Sequence, residues 1–344
     1  MQPLVTAIIP TYNRAEIVGK AIDSVLAQTY PNIQVVVVDD GSTDGTRDVL
    51  RGYGDRIEPI FQPNAGVGHA RNAGIQAARG AFIAFLDSDD AWENWKIAAQ
   101  IDVFQRFPEL SIVYTDARSI ELDGSVVFTS SLRSFHQKAL SYLKDIEMFP
   151  RTETLNVATE HGQQKTITVR IGNLGEYIWF GNLLLIQTTM IRTASLLERG
   201  LLDPAVGNAG EDYEFFSRQT QNCLTALIDT PAAICLNGRA DKLSRLRTHT
   251  ALQNLTTMQK IVARIGERFS VPAASVRRRW QDAYAWAGAA LFDDGREAEA
   301  RPYLWQAIRL GDRRPRLIAY LLLSFLGKAP TNVLRRLYQL VKPG

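Results

Sequence analysis

The chain has only two cysteines in 344 residues, Cys223 and Cys235, too few for a disulfide framework or a cysteine-based metal knuckle. Both read as small buried hydrophobes, and the scarcity fits a reducing compartment. No apolar run reaches the ~20 residues that a membrane-spanning helix needs; the longest, "LIAYLLLSFL" at 317–326, has about half that length. The N-terminus "MQPLVTAIIPTYNR" has neither a basic start nor a long apolar segment, so it reads as a first core strand and not as a secretion signal. Cytoplasmic residence is the expectation. There is no nucleic-acid motif and no basic stripe interleaved with aromatics, so no nucleic-acid partner is expected.

What is present has the balance of an ordinary globular protein, with 46% apolar and 22% charged residues, enough for a sizeable core. The net charge of +3 hides an asymmetry: residues 260–344 hold 16 Lys and Arg against 7 Asp and Glu, and residues 1–259 hold 23 against 29. A basic end on an acidic body suits an anionic membrane surface better than DNA or RNA.

The first 116 residues alternate two patterns. "VTAIIP", "IQVVVVDD", "RIEPIFQ", "AFIAFLD" and "SIVYTD" read as strands. Helices are read between them: "AEIVGKAIDSVLAQ", "STDGTRDVLRGY" with Ser42 or Thr43 as N-cap, "GVGHARNAGIQAARG" closed by Gly80, and "NWKIAAQIDVFQRF". Continuous Val/Ile runs separated by amphipathic helices imply an α/β domain of the doubly wound, Rossmann-like kind, with a mostly parallel sheet covered on both faces.

Beyond Ala117 the pattern changes to a hairpin around Asp123-Gly124, a helical stretch near 134–148, and a two-stranded excursion in "ETLNVATEHGQQKTITVRI". A strand in "WFGNLLLIQTTMIR", a helix in "GEDYEFFSRQTQ" and two strands, "CLTALID" and "AAICLNG", follow. After residue 250 the chain reads as helix, with "YAWAGAALFDDGREAEARPYLWQAIRLG" resembling one tetratricopeptide-type hairpin. The expected division is a catalytic domain over 1–250, with halves 1–116 and 117–250, and a helical C-terminal region over 251–344.

In such sheets ligands sit beyond the carboxyl ends of the strands. There "FLDSDD" sets Asp87, Asp89 and Asp90 within four positions, and like charges so close call for a cation or full hydration.

Taken together, "PTYNR" (10–14), "VVVVDDGSTDGT" (35–46), "NAGVGHARNAG" (64–74), "FLDSDD" (85–90) and "GEDYEF" (210–215) resemble the inverting family 2 glycosyltransferases of GT-A fold. The resemblance covers roughly the first 220 to 250 residues, in the family's order. It implies a nucleotide-sugar donor, UDP-linked by preference, and a saccharide or lipid-linked acceptor in envelope or exopolysaccharide synthesis. It also implies Mn²⁺ or Mg²⁺ to neutralise the departing diphosphate.

Carried over residue by residue, the resemblance makes Asp89 the principal metal ligand, with Asp87 facing ribose and metal. Asp90 is expected to cap a helix at Trp92. Asp40 becomes the reader of the uracil imide, in a nucleobase pocket lined by Thr11 and Tyr12. Glu16 either assists there or, in the first turn of a helix, favours its dipole. Asn64 and Arg71 match positions near the nucleotide, and Arg71 pairs either with a phosphate or with an aspartate. His69 reads as a solvated helix residue.

The implied catalytic base is Asp212 of the Glu211-Asp212 pair, and burial beside Phe215 and Phe216 would raise its pKa. His249 in "LRTHT" resembles the Arg-x-His of relatives, where the His completes the metal shell or meets the phosphates; the alternative is an ordinary loop histidine. The Gln-x-x-Arg-Trp signature of processive synthases is absent, and "RRRWQ" at 277 lies in the wrong context, so one or a few additions are expected.

The C-terminal "DRRPR", "LIAYLLLSFL", Lys328 and "NVLRRLYQLVK", with Leu334, Leu337, Leu340 and Val341 on one side, combine basic groups with apolar faces. They suit peripheral contact with the inner face of the plasma membrane. The alternative is packing on the catalytic domain or on a second copy, giving a homo-oligomer. Two other functions stand beside glycosyl transfer. A nucleotidyltransferase making sugar nucleotides would carry a Gly-rich basic loop after strand one, where "PTYNRAE" stands; a non-catalytic sugar-nucleotide scaffold would bind donor without a working Asp212.

Overall fold

The structure, a computed structural model, describes residues 2–121, 123–135, 137–143, 147–158, 164–175, 177–207, 210–237, 247–265 and 271–325. It forms two compact units, residues 1–242 and 243–344.

The first unit is organised by one mixed sheet. β1 (Val5–Thr11) is buried along its whole length, and so is β2 (Ile33–Asp39) apart from its first residue. Such strands need no polar face because helices cover both sides. Between them α1 (Val18–Leu26) buries Val18, Ala21, Ile22 and Val25, the i, i+3, i+4, i+7 stripe of an amphipathic helix. Next come α2 (Thr46–Gly52), β3 (Glu58–Phe61), α3 (Val67–Ala77), β4 (Phe82–Phe85), the short β5 (Ala91–Trp92), α4 (Lys96–Arg106) and β6 (Leu110–Ile120).

The larger core joins Ala7, Ile9, Val35 and Val37 to α1 and to Ile97, Ile101 and Phe104 of α4. On the opposite face Val36 and Val38 pack with Ala70 of α3. The remaining elements of this unit are β7 (Val126–Phe128), α5 (Ser131–Phe135), α6 (Gln137–Tyr142), β8 (Arg151–Ala158), β9 (Gln164–Gly172), β10 (Thr189–Arg192), α7 (Thr193–Arg199), α8 (Glu211–Gln219) and β11 (Leu224–Leu236).

The sheet order is β3-β2-β1-β4-β10-β6-β11-β9-β8, with β7 added to β6 and β5 to β11. β1, β2, β3 and β4 pair in parallel, as do β6 and β11, whereas β10 runs antiparallel between β4 and β6. From β1 the chain goes outward to β2 and β3 and then returns to the other side of β1 as β4. The strand order therefore reverses between β1 and β4, and a crevice opens beyond their carboxyl ends.

Several expectations are corrected. Trp92 starts no helix: it lies in β5, pairs with Ala233 of β11, and α4 begins only at Lys96. Neither Ser42 nor Thr43 caps α2, which begins at Thr46 with Asp44 accepting the Thr46 N–H at 3.0 Å. Glu16 precedes α1 and is not in its first turn. α3 ends at Ala77, before Gly80. Of "WFGNLLLIQTTMIR" only Thr189–Arg192 is strand, because Tyr177–Phe180 and Ile186–Thr188 close into 3₁₀ turns. "CLTALID" and "AAICLNG" form one strand, β11, whose register against β6 shifts on either side of Pro231.

The second unit contains α9 (Arg247–Ile265), α10 (Ala273–Asp293), α11 (Glu297–Arg309) and α12 (Pro315–Leu323). α10 and α11 form the expected hairpin, with Leu291, Phe292, Ala300, Leu304 and Leu317 in its core. Phe292 stacks on Tyr320 with ring centroids 4.1 Å apart. No described helix is long and apolar enough to cross a membrane. Lys328 and the "NVLRRLYQLVK" face lie outside the described residues.

Candidate functional site

The crevice is assembled from four strand ends. Beyond β1, the Asn13 N–H donates to Ser42 Oγ and the Thr43 N–H donates to Asn13 Oδ1, both at 2.8 Å, so the β1 and β2 turns are stitched together. Thr11 is buried, and its Oγ1 has no hydrogen-bond partner. Its neighbour Tyr12 is 42% exposed, and Glu16 is exposed too.

Both carboxylates at the end of β2 act on loops. Asp39 Oδ1 accepts the Ser42 N–H at 3.0 Å, and Oδ2 meets Arg47 at 3.2 Å. Asp40 Oδ1 accepts from Gln62 Nε2 at 2.7 Å and from the Ala65 N–H at 2.9 Å, and Oδ2 accepts the Gly66 N–H at 2.7 Å. Asp40 thus fixes the loop that leads into α3, and a carboxylate's spare lone pair remains on Oδ2. Between the two loops Gly41 adopts φ +81°, and a Cβ there would stand 2.6 Å from the Asn64 N. Asn64 itself is exposed, and His69 is an exposed position of α3.

α3 then sends two adjacent side chains far along the chain. Asn72 exchanges hydrogen bonds with the Leu202 backbone at 2.9 and 3.0 Å. Arg71, almost fully buried, places Nη2 2.8 Å from Asp87 Oδ1 and Nη1 2.7 Å from Glu211 Oε1. Arg71 thus pairs with two carboxylates, one of them an aspartate as expected. Burial alone would lower the pKa of the guanidinium, but the charges of Asp87 and Glu211 outweigh it and raise it. Glu211 opens α8, whose N-cap Gly210 sits at φ +86°, a backbone conformation open to glycine at little cost. The pair thus locks α8 to the end of β4.

Asp212, the next residue, has its pKa pushed up to about 7. Burial is the largest cause and the neighbouring charge of Glu211 the second, partly opposed by Arg71. Its Oδ2 accepts from Asn182 Nδ2 at 2.9 Å, and the following Tyr213 hydroxyl donates to Trp179 O at 2.8 Å. Phe215 packs edge-on against Phe85 of β4, which sets α8 on that face of the sheet. A carboxyl with a pKa near neutrality, in a crevice, has the acidity of a general base.

Asp87 and Asp89 are half-buried on the turn after β4, and Asp90 is buried. Asp90 is not a helix cap: its Oδ1 accepts the Leu236 N–H of β11 at 3.1 Å and ties the turn to a distant strand. Among the described residues no three His, Cys, Asp or Glu side chains form a ready metal site. Two carboxylates one residue apart do match the way Mg²⁺ or Mn²⁺ is held by one or two acids with substrate phosphates supplying the rest. His249 is the exposed third residue of α9 in the second unit. Cys223 and Cys235 are buried free thiols. Asn182 and Gln62 were not singled out from sequence; a polar residue in a loop carries no local mark of a partner thirty or twenty-two positions away.

The model of Glycosyl transferase family 2 matches residues 6–156. An uncharacterized glycosyltransferase of Nostoc sp. is 46% identical over 114 residues, 32% of this chain and 35% of that protein. A putative teichuronic acid biosynthesis glycosyltransferase of Bacillus subtilis is 31% identical over 172 residues, 46% of this chain and 68% of that protein. The chain spans about a third to a half of the length of several other curated relatives. Among solved structures, the mannosyltransferase PcManGT of Pyrobaculum calidifontis, in complex with GDP-Man and Mn²⁺, superposes with a TM-score of 0.53 at 18% identity over 95% of this chain and 87% of that one. S. aureus TarS 1–349 in complex with UDP-GlcNAc gives a TM-score of 0.52 at 16% identity over 89% of each chain. At such identities the likeness concerns the fold, a mixed GT-A sheet with a parallel half flanked by helices, with helices following at the C-terminus.

Proposed function

Because the chain belongs to glycosyl transferase family 2, we propose that it moves a sugar, with inversion, from a nucleoside-diphosphate donor to a saccharide or lipid-linked acceptor during envelope or exopolysaccharide assembly. The observation that carries this reading is Asp212, a carboxyl with a pKa of about 7 on a helix that Arg71 clamps to the Asp87 turn. In an inverting transfer the acceptor hydroxyl attacks the anomeric carbon from the face opposite the leaving group. Asp212 takes the hydroxyl proton as the new glycosidic bond forms, and the bond to the diphosphate breaks with its electron pair leaving on the phosphate oxygen.

A UDP-sugar is the favoured donor. The uracil imide N–H would donate to Asp40 Oδ2, and the partnerless Thr11 Oγ1 would meet the same base beside Tyr12. Asn64, the residue before Ala65 of the loop that Asp40 holds, and Glu16, four residues after Tyr12, are exposed and would border the nucleotide. Asp87 and Asp89 would hold Mn²⁺ or Mg²⁺, which when bound neutralises the departing diphosphate. The TarS neighbour with UDP-GlcNAc and the PcManGT neighbour with Mn²⁺ support, without extending, these two choices. In the second unit Trp305, Leu322 and Phe325 are exposed, which supports peripheral contact of these basic helices with an anionic membrane.

The deciding experiment is a panel of nucleotide sugars with Mn²⁺, scored by thermal shift and by donor hydrolysis. One donor should stabilise the protein and be turned over, Asp89→Ala should lose both responses to metal, and Asp212→Asn should keep binding but lose turnover. Donor turnover that survives Asp212→Asn unchanged would remove the base assignment and favour another role for the chain.

A further inference from the structure

Away from the nucleotide crevice the first unit carries a half-open cavity of about 260 Å³ that none of the roles above uses. Its position follows from strand register. Met190 of β10 stands opposite both Ala84 of β4 and Val113 of β6, so Phe85 and Tyr114 are level and point to the same face of the sheet. That is the face on which α8 lies, through Phe85 and Phe215. Tyr114 and Asp116 line the cavity, as does Leu183, whose preceding residue Asn182 is bonded to Asp212. The cavity therefore begins one residue from the partner of the proposed base.

The lining has two characters. Leu132, Leu183 and Leu227 with the Phe149 and Tyr114 rings give it an apolar floor. Its edge is charged: Arg170 donates twice to Asp229 Oδ2, at 3.0 and 2.9 Å, while Asp229 Oδ1 lies 3.8 Å from Arg133. Asp116 uses Oδ1 for the Ala117 and Leu132 N–H groups, at 2.7 and 3.0 Å. In the residue before Leu183, the buried Asn182 Oδ1 has no hydrogen-bond partner, and a buried acceptor left unsatisfied is destabilising.

We propose that this cavity receives the terminal sugar ring of the acceptor, with Asp116, Arg133 and Asp229 reading its hydroxyls and Asn182 Oδ1 accepting a hydroxyl beside the one that Asp212 deprotonates. The proposal rests on the glycosyl-transfer reading above and names the acceptor class. A pyranose has an apolar C–H face and a hydroxyl rim, the same division as the cavity. A polyprenyl chain would gain nothing from buried carboxylates, which are costly to desolvate. A free phosphate would find Arg170 already neutralised by Asp229. The size points the same way, since pockets for drug-sized ligands run roughly 300–1,000 Å³ and this one has room for a single ring. Tyr114, Asp116, Leu132 and Arg133 lie within the residues that the family model matches and Arg170, Leu183 and Asp229 beyond them, so later segments of this chain complete the cavity.

The test is saturation-transfer NMR on the full chain with methyl β-glucopyranoside, methyl β-galactopyranoside, methyl α-mannopyranoside and methyl N-acetyl-β-glucosaminide, alone and with UDP and Mn²⁺. At least one glycoside should receive saturation. Leu132→Trp, which fills the cavity, should abolish that signal. Arg133→Ala removes a side chain that is 75% exposed and so carries little folding risk; it should weaken binding roughly tenfold, the loss of one hydrogen bond from a charged donor. Saturation of no glycoside by the wild type, or equal saturation by wild type and Leu132→Trp, overturns the proposal. Displacement of a bound glycoside by a short prenyl phosphate, with no UDP present, overturns it in favour of a lipid site. UDP is read from its own signals: its failure to bind would defeat the donor reading, and the glycoside arms would still decide the cavity.

Discussion

Arg71 on α3 and Glu211 at the first position of α8 lie 140 residues apart in sequence and are joined by a 2.7 Å ion pair, with side chains 4% and 9% exposed. A buried pair of this kind is costly to break from one side, because the remaining charge stays in the interior. Arg71→Met leaves Glu211 uncompensated and Asp87 without its anchor. The expected loss is about 3–5 kcal/mol of stability, read as a lower urea midpoint at unchanged m-value. A double-mutant cycle with Glu211→Gln should recover part of that loss. Additive single effects would mean that the two side chains do not interact energetically.

The carboxyl of Asp212 gives two linked expectations. Its pKa in the fold is about 7, above the ~3.9 of an unfolded Asp. A base works ionised, so kcat/KM should rise with pH and level off above an apparent pKa near 7. For stability the sign is opposite. A group whose pKa is raised by folding favours the fold below its unfolded value, and that contribution is lost as pH rises through the folded value. Asp212→Asn should therefore lower kcat/KM by about 10²–10⁴-fold, while its Tm advantage over wild type grows between pH 5 and pH 8. A pH–rate profile flat from pH 5 to 9 would contradict the assignment.

These two sites show what the sequence could and could not carry. The parallel half was legible because a strand buried on both faces must be continuously apolar, and β1 and β2 are. An aspartate was legible as a partner of Arg71, but Glu211 was not, because it lies 140 residues away at the start of α8. Asp90 was misread for the same reason: before Trp92 an Asp has the local chemistry of an N-cap, but its partner is the Leu236 N–H, 146 residues on. The long apolar run before β10 carries no period that separates strand from the 3₁₀ turns it forms. "CLTALID" and "AAICLNG" read as two strands, and the structure joins them through Pro231 with register shifts inside β11. The burial that raises the pKa of Asp212 was foreseen from Phe215 and Phe216; the contribution of Glu211 needed the geometry of α8.

The loop before α3 is held from one side by Asp40 and from the other by the shape of Gly41. Gly41→Ala places a Cβ 2.6 Å from the Asn64 N at φ +81°, so backbone must move. Strain at such a position costs on the order of 1–3 kcal/mol. Asp40→Ala instead removes three hydrogen bonds and leaves the Ala65 and Gly66 N–H groups without their acceptor. Both variants should lower Tm, show faster amide exchange at Gln62, Asn64, Ala65 and Gly66, and bind UDP more weakly. Retention of slow exchange there in Asp40→Ala would show that other contacts hold the loop.

Lys96 is fully buried in the core between α4 and the sheet, with Nζ 2.9 Å from Gln100 Oε1 and 4.1 Å from the centre of the Trp92 ring. Neither partner carries a charge. Burial pushes the Lys96 pKa well down, because the interior disfavours the ammonium. A lysine of depressed pKa binds fewer protons folded than unfolded, so it lowers stability at neutral pH, and the penalty fades as pH rises toward the unfolded value of ~10.4. Lys96→Met keeps the length and apolar stem of the side chain without the amine. It does leave Gln100 Oε1 without that donor, but Gln100 Nε2 still holds the Val113 and Thr188 carbonyls at 2.8 and 2.9 Å, so the side chain stays anchored. The net expectation is a higher Tm for Lys96→Met at pH 7 and a smaller gain at pH 9.5, measured by calorimetry at matched ionic strength. A gain that stays constant with pH would place its origin in packing and not in the proton, and a loss at both pH values would show that the ring and the amide hold the ammonium better than water does.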